Sequence, residues 1–207
     1  MQNINHIDYW QKIYQQKSPE SLSWYQQQAT QSFQLIKKSV SHLADPVIDI
    51  GSGASVLVDQ LVDAGFSQLS ILDISAAALE VSKQRLANAG KDIEWCVDDV
   101  TKFIPSRQYR VWHDRAVFHF LTTMQGRRAY VETLSQALMP GGYAVISTFS
   151  IGGPNKCSGL PVVQYDAEKL SMALGDGFTL LEYLIENHLT PEKLTQPFSY
   201  FRLQKKF

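Results

Sequence analysis

The sequence predicts an α/β domain whose mainly parallel sheet is covered by helices on both faces. Two observations carry this expectation. From residue 46 onward, short apolar runs of strand length alternate with segments of helical period, which is the signature of βαβ units. At the C-terminal end, two extended segments follow each other with no helix between them, so they read as antiparallel neighbours.

The elements follow in order. Residues 1–40 stand apart, rich in Gln and carrying Trp10, Tyr14, Trp24 and Tyr25. They read as an N-terminal helical cap, with the main domain over 41–207. The cap aromatics serve either as packing on the domain or as a lid over a ligand cleft, and the two roles are compatible. Val47–Ile50, bounded by Pro46 and Gly51, is a buried strand. Ser55–Ala64 is a helix with Leu57, Leu61 and Val62 on one face and Gly65 as its stop. Leu69–Ile74 is the second strand. Ser75 caps a helix running from Ala76 to about Ala89.

Ile93–Val97 is the third strand and Tyr109–His113 the fourth, followed by a short helix near Val117–Leu121. Arg127–Leu138 has a helical period, and Pro140-Gly141-Gly142 breaks it before a fifth strand, Tyr143–Phe149. Ile151–Gln164 reads as a loop. Asp166 caps a helix to about Leu174. Phe178–Asn187 and Phe198–Leu203 are the final strand pair.

Composition narrows the function. The chain has 207 residues, 44% apolar and 19% charged, with a formal net charge of −1. That is enough apolar content for a core, and nothing in the total charge points to nucleic acid. No run is long enough to span a bilayer, and Met1–Trp10 lacks the apolar stretch of a signal peptide. With only Cys96 and Cys157, neither a disulfide framework nor a four-cysteine zinc site is available, so a cytoplasmic, membrane-free protein is expected. The scattered His and Cys lack metal-ligand spacing, so no metal site is expected.

The informative stretch is Val47–Ser55. A strand carrying Asp49 runs into a Gly51-Ser52-Gly53 turn that opens a helix. Small residues there let the backbone approach a ligand. Asp73 ends the next strand, where a carboxylate can accept two hydrogen bonds from a ribose diol. Asp98-Asp99 ends the third, where an adenine edge would lie. Ligands of open α/β sheets bind at these carboxyl ends, so Asp49, Asp73 and Asp99 would converge. A dinucleotide is disfavoured. The third Gly of its fingerprint is replaced by Val56, and Asp49 sits where a diphosphate would be repelled. A carboxylate there suits an ammonium. S-adenosylmethionine offers an ammonium, a ribose diol and an adenine, with no phosphate. Tyr165 and Lys169 have the Tyr-x-x-x-Lys spacing of short-chain dehydrogenases. The matching Gly-rich fingerprint is missing from the start of the chain, so Tyr165 reads as packing before a capped helix.

Over roughly residues 45–205 the sequence resembles the class I S-adenosylmethionine-dependent methyltransferases. Val47–Ser55 is similar to their motif I, Ile71–Ile74 to the ribose-binding motif, and Asp98–Val100 to the adenine-binding motif. Leu138–Gly142 is similar to the Pro-Gly-Gly turn before the fifth strand. The resemblance implies a Rossmann-like fold, a seven-stranded sheet ending in an antiparallel hairpin, with S-adenosyl-L-methionine as cofactor. Carried over, Asp49, Gly51, Ser52 and Gly53 frame the methionine end. Asp73 and Ile74 hold the ribose, and Asp99 with Val100 meets the adenine, Asp98 being the rival of Asp99. Ser55 stands where many members have a third Gly. Trp112–Leu121, Cys157–Val163 and the opening aromatics also look like a widespread bacterial group of uncharacterised methyltransferases. The Asp114-Arg115 step is similar to the Asp-Lys-Gly step of methyltransferase-like enzymes that modify protein lysines. Here Ala116 replaces that Gly and His119 an acid, which counts against lysine specificity.

Methyl transfer requires positioning, exclusion of water and removal of a proton where the acceptor carries one. Residues just past the fourth strand are best placed for that. His119 is the candidate general base, Asp114 a positioning group or a helix cap, and Arg115 an anion binder or an ion-pair partner. His113 adjoins the sulfonium side of the cofactor. Cys157, in the loop after the fifth strand, needs no covalent role. Three functions stay open: methylation of a small molecule, which is favoured; methylation of a protein, with lysine as the target; and non-catalytic binding of the cofactor.

Overall fold

The computed structural model describes residues 5–207, so the first four residues of the expected cap lie outside it. The chain forms α1 (His6–Gln16), α2 (Thr30–Ser39), β1 (Val47–Ile50), α3 (Leu57–Asp63), β2 (Leu69–Asp73), α4 (Ala76–Leu86), β3 (Glu94–Val97) and β4 (Tyr109–Arg115). Then come α5 (Met124–Ala137), β5 (Leu138–Phe149), a short ribbon of β6 (Lys156–Cys157) and β7 (Leu160–Pro161), α6 (Ala167–Leu174), β8 (Phe178–Leu189) and β9 (Thr195–Lys205).

Seven strands make one sheet in the order β3-β2-β1-β4-β5-β9-β8. The first five are parallel, and β9 runs antiparallel to both β5 and β8. This is the Rossmann-like methyltransferase arrangement the sequence predicts, closing hairpin included. The strand order reverses between β1 and β4, which opens a crevice beyond their carboxyl ends.

Alternation along the strands divides the core. Ile48 and Ile50 of β1, Trp112 of β4, and Ala144 and Ile146 of β5 face one side, packing with Tyr130 and Leu134 of α5 and Leu170 of α6. Val47, Val111 and Val145 face the other, with Leu35 and Ile36 of α2 and Leu57 and Leu61 of α3. The expected cap therefore divides. α2 is part of the core, whereas α1 buries none of its residues and lies over α4.

Several boundaries move for local reasons. α5 begins at Met124, three residues before the expected start, because the Thr123 side chain accepts from the Gly126 N–H. β5 begins at Leu138. The Pro140-Gly141-Gly142 break is absorbed as a register shift against β4 between Tyr109 and Val111, with Gly141 at φ +70°. The expected loop over 151–164 contains the β6–β7 ribbon. Among the described residues, no helix is long and apolar enough to cross a membrane.

Candidate functional site

The switch point opens into a cavity of about 300 Å³. One end is formed by Ile50 and Gly51 after β1, Leu72, Asp73 and Ile74 of the β2 end, and Asp98, Asp99, Val100 and Thr101 after β3. The other end is formed by Arg115, Ala116, Val117, Phe120 and Leu121 after β4, by Cys157, and by Trp10, Tyr14 and Trp24 above.

The turn after β1 is built by backbone geometry. Gly51 and Gly53 hold φ of +60° and +57°, where an L side chain is strained. A Cβ on Gly51 would overlap the Val117 side chain, and one on Gly53 the Tyr14 hydroxyl. Asp73 is buried. Its Oδ2 accepts from the Gly53 N–H at 2.8 Å and its Oδ1 from the Ser75 N–H at 2.8 Å. Burial is the main influence on its carboxyl, raising it to about 6, and the nearby Asp49 adds to the rise while the backbone donors oppose it. Asp98 and Asp99 are more open. The Oδ1 of Asp99 accepts from the N–H and hydroxyl of Thr101, at 2.9 and 2.7 Å.

Asp49 does not line this cavity. It lines a second, smaller chamber of about 60 Å³ with Ser52, His113 and Arg115, and this chamber shares Tyr14, Trp24, Ile50, Gly51 and Arg115 with the first. The Nδ1–H of His113 donates to Asp49 Oδ1 at 2.5 Å, and its Nε2 lies 2.8 Å from the Ser32 hydroxyl of α2. His113 therefore locks the motif I carboxylate onto β4 and α2. Among the described residues, Asp49 Oδ2, Ser52 Oγ and Arg115 Nη2 are buried and have no hydrogen-bond partner. These orphaned groups, the glycine cradle and the Asp73 and Asp99 carboxylates fit S-adenosylmethionine: hydrogen-bonding groups with capacity left over meet a polar nucleoside at one end and a charged tail at the other.

The candidates after β4 separate. Arg115 reaches both chambers. Asp114 reaches neither. It accepts from the Val117 and Phe118 N–H groups at 2.8 and 3.0 Å and from the Tyr130 hydroxyl at 2.6 Å, while Trp112 Nε1–H donates to Tyr130 at 2.9 Å. Burial raises its carboxyl to about 6. This is the capping alternative, and it fixes the loop that carries Arg115 to Leu121. His119 is likewise absent from the walls of both chambers. It is buried between Phe120 and Phe149, its Nδ1 3.4 Å from the Phe149 N–H, and burial, with help from Arg115, lowers its imidazole to about 3. That placement withdraws His119 as the general base: it is neutral and walled off. The Cys157 thiol lines the cavity but is pushed up to about 12 by burial. Among the described residues no cluster could hold a metal ion.

Over the cavity, Trp10 meets Trp24 and Phe120 edge to face, with centroids 5.7 and 5.3 Å apart. Gln11 Oε1 accepts from the Ser75 hydroxyl and the Ala77 N–H, tying α1 to the start of α4. Tyr9 hydrogen-bonds the Ser158 carbonyl. The cap aromatics thus act as packing and as roof together. Sequence reasoning missed Phe120 as a wall residue, and it missed Tyr200 and Glu186, which hold Arg115. Tyr200 accepts from Arg115 Nε at 3.1 Å and donates to Glu186 Oε2 at 3.0 Å. No local pattern marks either residue, because both act across the sheet.

Residues 47–142 match a family model described as a methyltransferase domain. The chain is similar to the eEF1A lysine and N-terminal methyltransferase of Bos taurus, 26% identical over 118 residues, which is 56% of this chain and 17% of that protein. It is similar to EEF1A lysine methyltransferase 2 of Homo sapiens, 27% identical over 147 residues, 67% of this chain and 56% of that one. The chain thus spans under a fifth of the first relative and little over half of the second. Among solved structures, the N-methyltransferase NodS from Bradyrhizobium japonicum WM9 in complex with S-adenosyl-L-homocysteine superposes with a TM-score of 0.72 at 18% identity, covering 98% of this chain and 99% of that one. The protein in "Conversion of a Disulfide Bond into a Thioacetal Group during Echinomycin Biosynthesis" gives a TM-score of 0.77 at 17% identity, covering 97% and 91%. At these identities the two structures speak for the fold.

Proposed function

We propose that this chain is a class I S-adenosylmethionine-dependent methyltransferase, a reading supported by the match of residues 47–142 to a methyltransferase-domain model, and that it methylates a small-molecule acceptor held beneath the roof of α1. The observation that carries the reading is Asp73. It is a buried carboxylate at the end of β2, oriented by two backbone N–H groups, in a cavity large enough for a small ligand.

In this reading Asp73 and Ile74 hold the ribose, and Asp99 with Val100 meets the adenine, Asp98 standing beside them. Gly51, Ser52 and Gly53 admit the backbone of the tail, and Asp49, oriented by His113, takes its ammonium. The bound cofactor supplies an electrophilic methyl group. The protein supplies position and a water-poor chamber. Asp114 shapes the wall after β4. Trp10, Trp24 and Phe120 line the acceptor end, and such a wall suits an apolar or cationic molecule. A cytoplasmic location belongs to the same reading, supported by two unpaired thiols, Cys96 and Cys157.

A protein lysine acceptor is the second reading, favoured by the names of the relatives. The roof across the cavity favours the small molecule.

The test is a thermal-shift titration. S-adenosylhomocysteine at a hundredfold excess over its dissociation constant should stabilise the protein by about 2.7 kcal/mol, and NAD should not. A shift with NAD and none with S-adenosylhomocysteine would overturn the reading. An acceptor panel of small amines and thiols against a lysine peptide then separates the two acceptor classes.

A further inference from the structure

The two edges of the sheet are guarded differently. β3, at one edge, is four residues long and runs into Asp98 and Asp99. β8, at the other, is twelve residues long. Among the described residues it pairs only with β9, so its outer row of N–H and C=O groups has no strand beside it. Sheet edges are ordinarily blunted by short length, by Pro or by an outward charge such as Lys. Between Phe178 and Leu189 there is no Pro, Lys or Arg.

The two acids of β8 are occupied on one face. Glu182 meets Lys38 of α2 at 2.7 Å and Arg202 of β9 at 3.2 Å. Glu186 accepts from the Tyr200 hydroxyl at 3.0 Å, and His188 Nε2 lies 2.8 Å from the Ser23 carbonyl. Alternation sends Leu181, Tyr183, Ile185, Asn187 and Leu189 to the opposite face. There α6 packs on the start of the strand, against Phe178 and Leu180. Tyr183 stacks on Phe201 with centroids 5.3 Å apart. Beyond that cover Leu181, Tyr183, Ile185 and Leu189 remain 44, 40, 56 and 60% exposed. They make an uncharged patch on the order of 400 Å², the size at which an exposed apolar surface marks a binding face. It is about half of the roughly 800 Å² that each partner brings to a stable interface, and paired strand edges add to it.

A second copy fits this edge. A twofold axis perpendicular to the sheet sets one β8 antiparallel to the other and keeps both apolar stripes on the same face. The register follows from charge. Centring on Leu184 would oppose Glu182 to the partner's Glu186, a like-charge pair. Centring on Ile185 opposes Ile185 to itself, Leu181 to the partner's Leu189 and Glu182 to the partner's His188, and no like charges face each other. We infer that this chain is a twofold dimer whose sheet runs continuously through both copies, joined by antiparallel pairing of β8 over residues 181–189 about Ile185. The crevice at β1 and β4 lies inside the sheet and outside this interface, so the inference does not depend on the acceptor.

The experiment is sedimentation of the full chain from micromolar to submillimolar concentration, with oxidative cross-linking of single-cysteine additions. The wild type should sediment as a dimer. Ile185→Lys, which adds the missing edge charge, should sediment as a monomer and bind S-adenosylhomocysteine within about twofold of the wild type. Ile185→Cys should form a disulfide between copies, because residues directly opposite in an antiparallel pair stand at disulfide distance. Thr179→Cys, on the same strand but outside the ladder, should form none, and neither should the wild type through Cys96 or Cys157. A wild type that stays monomeric throughout overturns the inference, also where it captures an added β-strand peptide along β8. A dimer that persists in Ile185→Lys, or equal cross-linking through positions 179 and 185, overturns it as well. Loss of S-adenosylhomocysteine binding in the wild type would instead remove the methyltransferase reading and leave the dimer standing.

Discussion

The two banks of the crevice are built on different rules. On the bank formed by β2 and β3, each functional carboxylate is tied to backbone a few residues away or to the neighbouring turn, while Asp49 of β1, held by His113 of β4, bridges the two banks. Asp73 is held by the N–H groups of Gly53 and Ser75, and Asp99 caps Thr101. On the bank formed by β4 and its loop, each polar residue is fixed by a distant partner: Asp114 by Tyr130, Arg115 by Tyr200, His119 by Phe149. The first bank contributes carboxylates with capacity left for a ligand. The second spends most of its polar groups on holding its own shape, and of its three expected catalytic residues only Arg115 faces a chamber.

That contrast can be broken by mutation. The largest effect is expected at Asp114. Asp114→Ala strands the Val117 and Phe118 N–H groups and the buried Tyr130 hydroxyl, and should cost about 3–5 kcal/mol in urea unfolding. A loss below about 1 kcal/mol would mean that the loop is shaped by something else. On the opposite bank, Asp73→Asn should weaken S-adenosylhomocysteine by about thirty- to a hundredfold, or 2–3 kcal/mol, with a smaller change in stability. If it destabilised the fold as much as the Asp114 variant, the two banks would not differ as described.

The smallest effect concerns His119 and pH. Its folded value near 3 lies below that of an unfolded histidine, so between about pH 6.5 and 3 the unfolded chain binds a proton that the folded chain refuses. Its contribution to stability is present above that window and is lost as pH falls. Asp73 and Asp114, raised to about 6, act oppositely: the folded chain keeps protons that the unfolded chain has released, so acidification from pH 7 to 5 favours folding at these sites. His119→Gln removes only the first contribution. Between pH 7 and pH 5 the change in its stability should be more favourable than that of the wild type by about 1–2 kcal/mol, read in denaturant titrations at the two pH values. Identical responses would show that His119 is not buried neutral.

How much was legible follows the same division. The mainly parallel seven-stranded sheet, its closing hairpin and the Gly51–Gly53 turn come from local patterns and a resemblance carried by contiguous motifs, whereas the strand order is given by the structure. Asp73 was legible because a strand-end acid twenty residues after Gly53 has little else to do there. The second bank was not, because Tyr200 lies 85 residues from Arg115 and Tyr130 16 residues from Asp114, and no window of sequence joins them. His119 has the chemistry of a base, and only packing between Phe120 and Phe149 withdraws it. Ala116 is intermediate. It occupies the position where the lysine-modifying enzymes have Gly, and it keeps a left-handed backbone at φ +72° despite its methyl group. Its side chain lies at the cavity wall.

The helix that roofs the cavity buries none of its own residues, although it presents Trp10 and Tyr14 to the space below. An isolated helix of its eleven residues is marginal in water. Whatever fills that space gives those rings a floor to rest on. Occupancy and helix order are therefore two readings of one equilibrium, and amide-exchange protection across residues 6–16 should rise and fall with the guest.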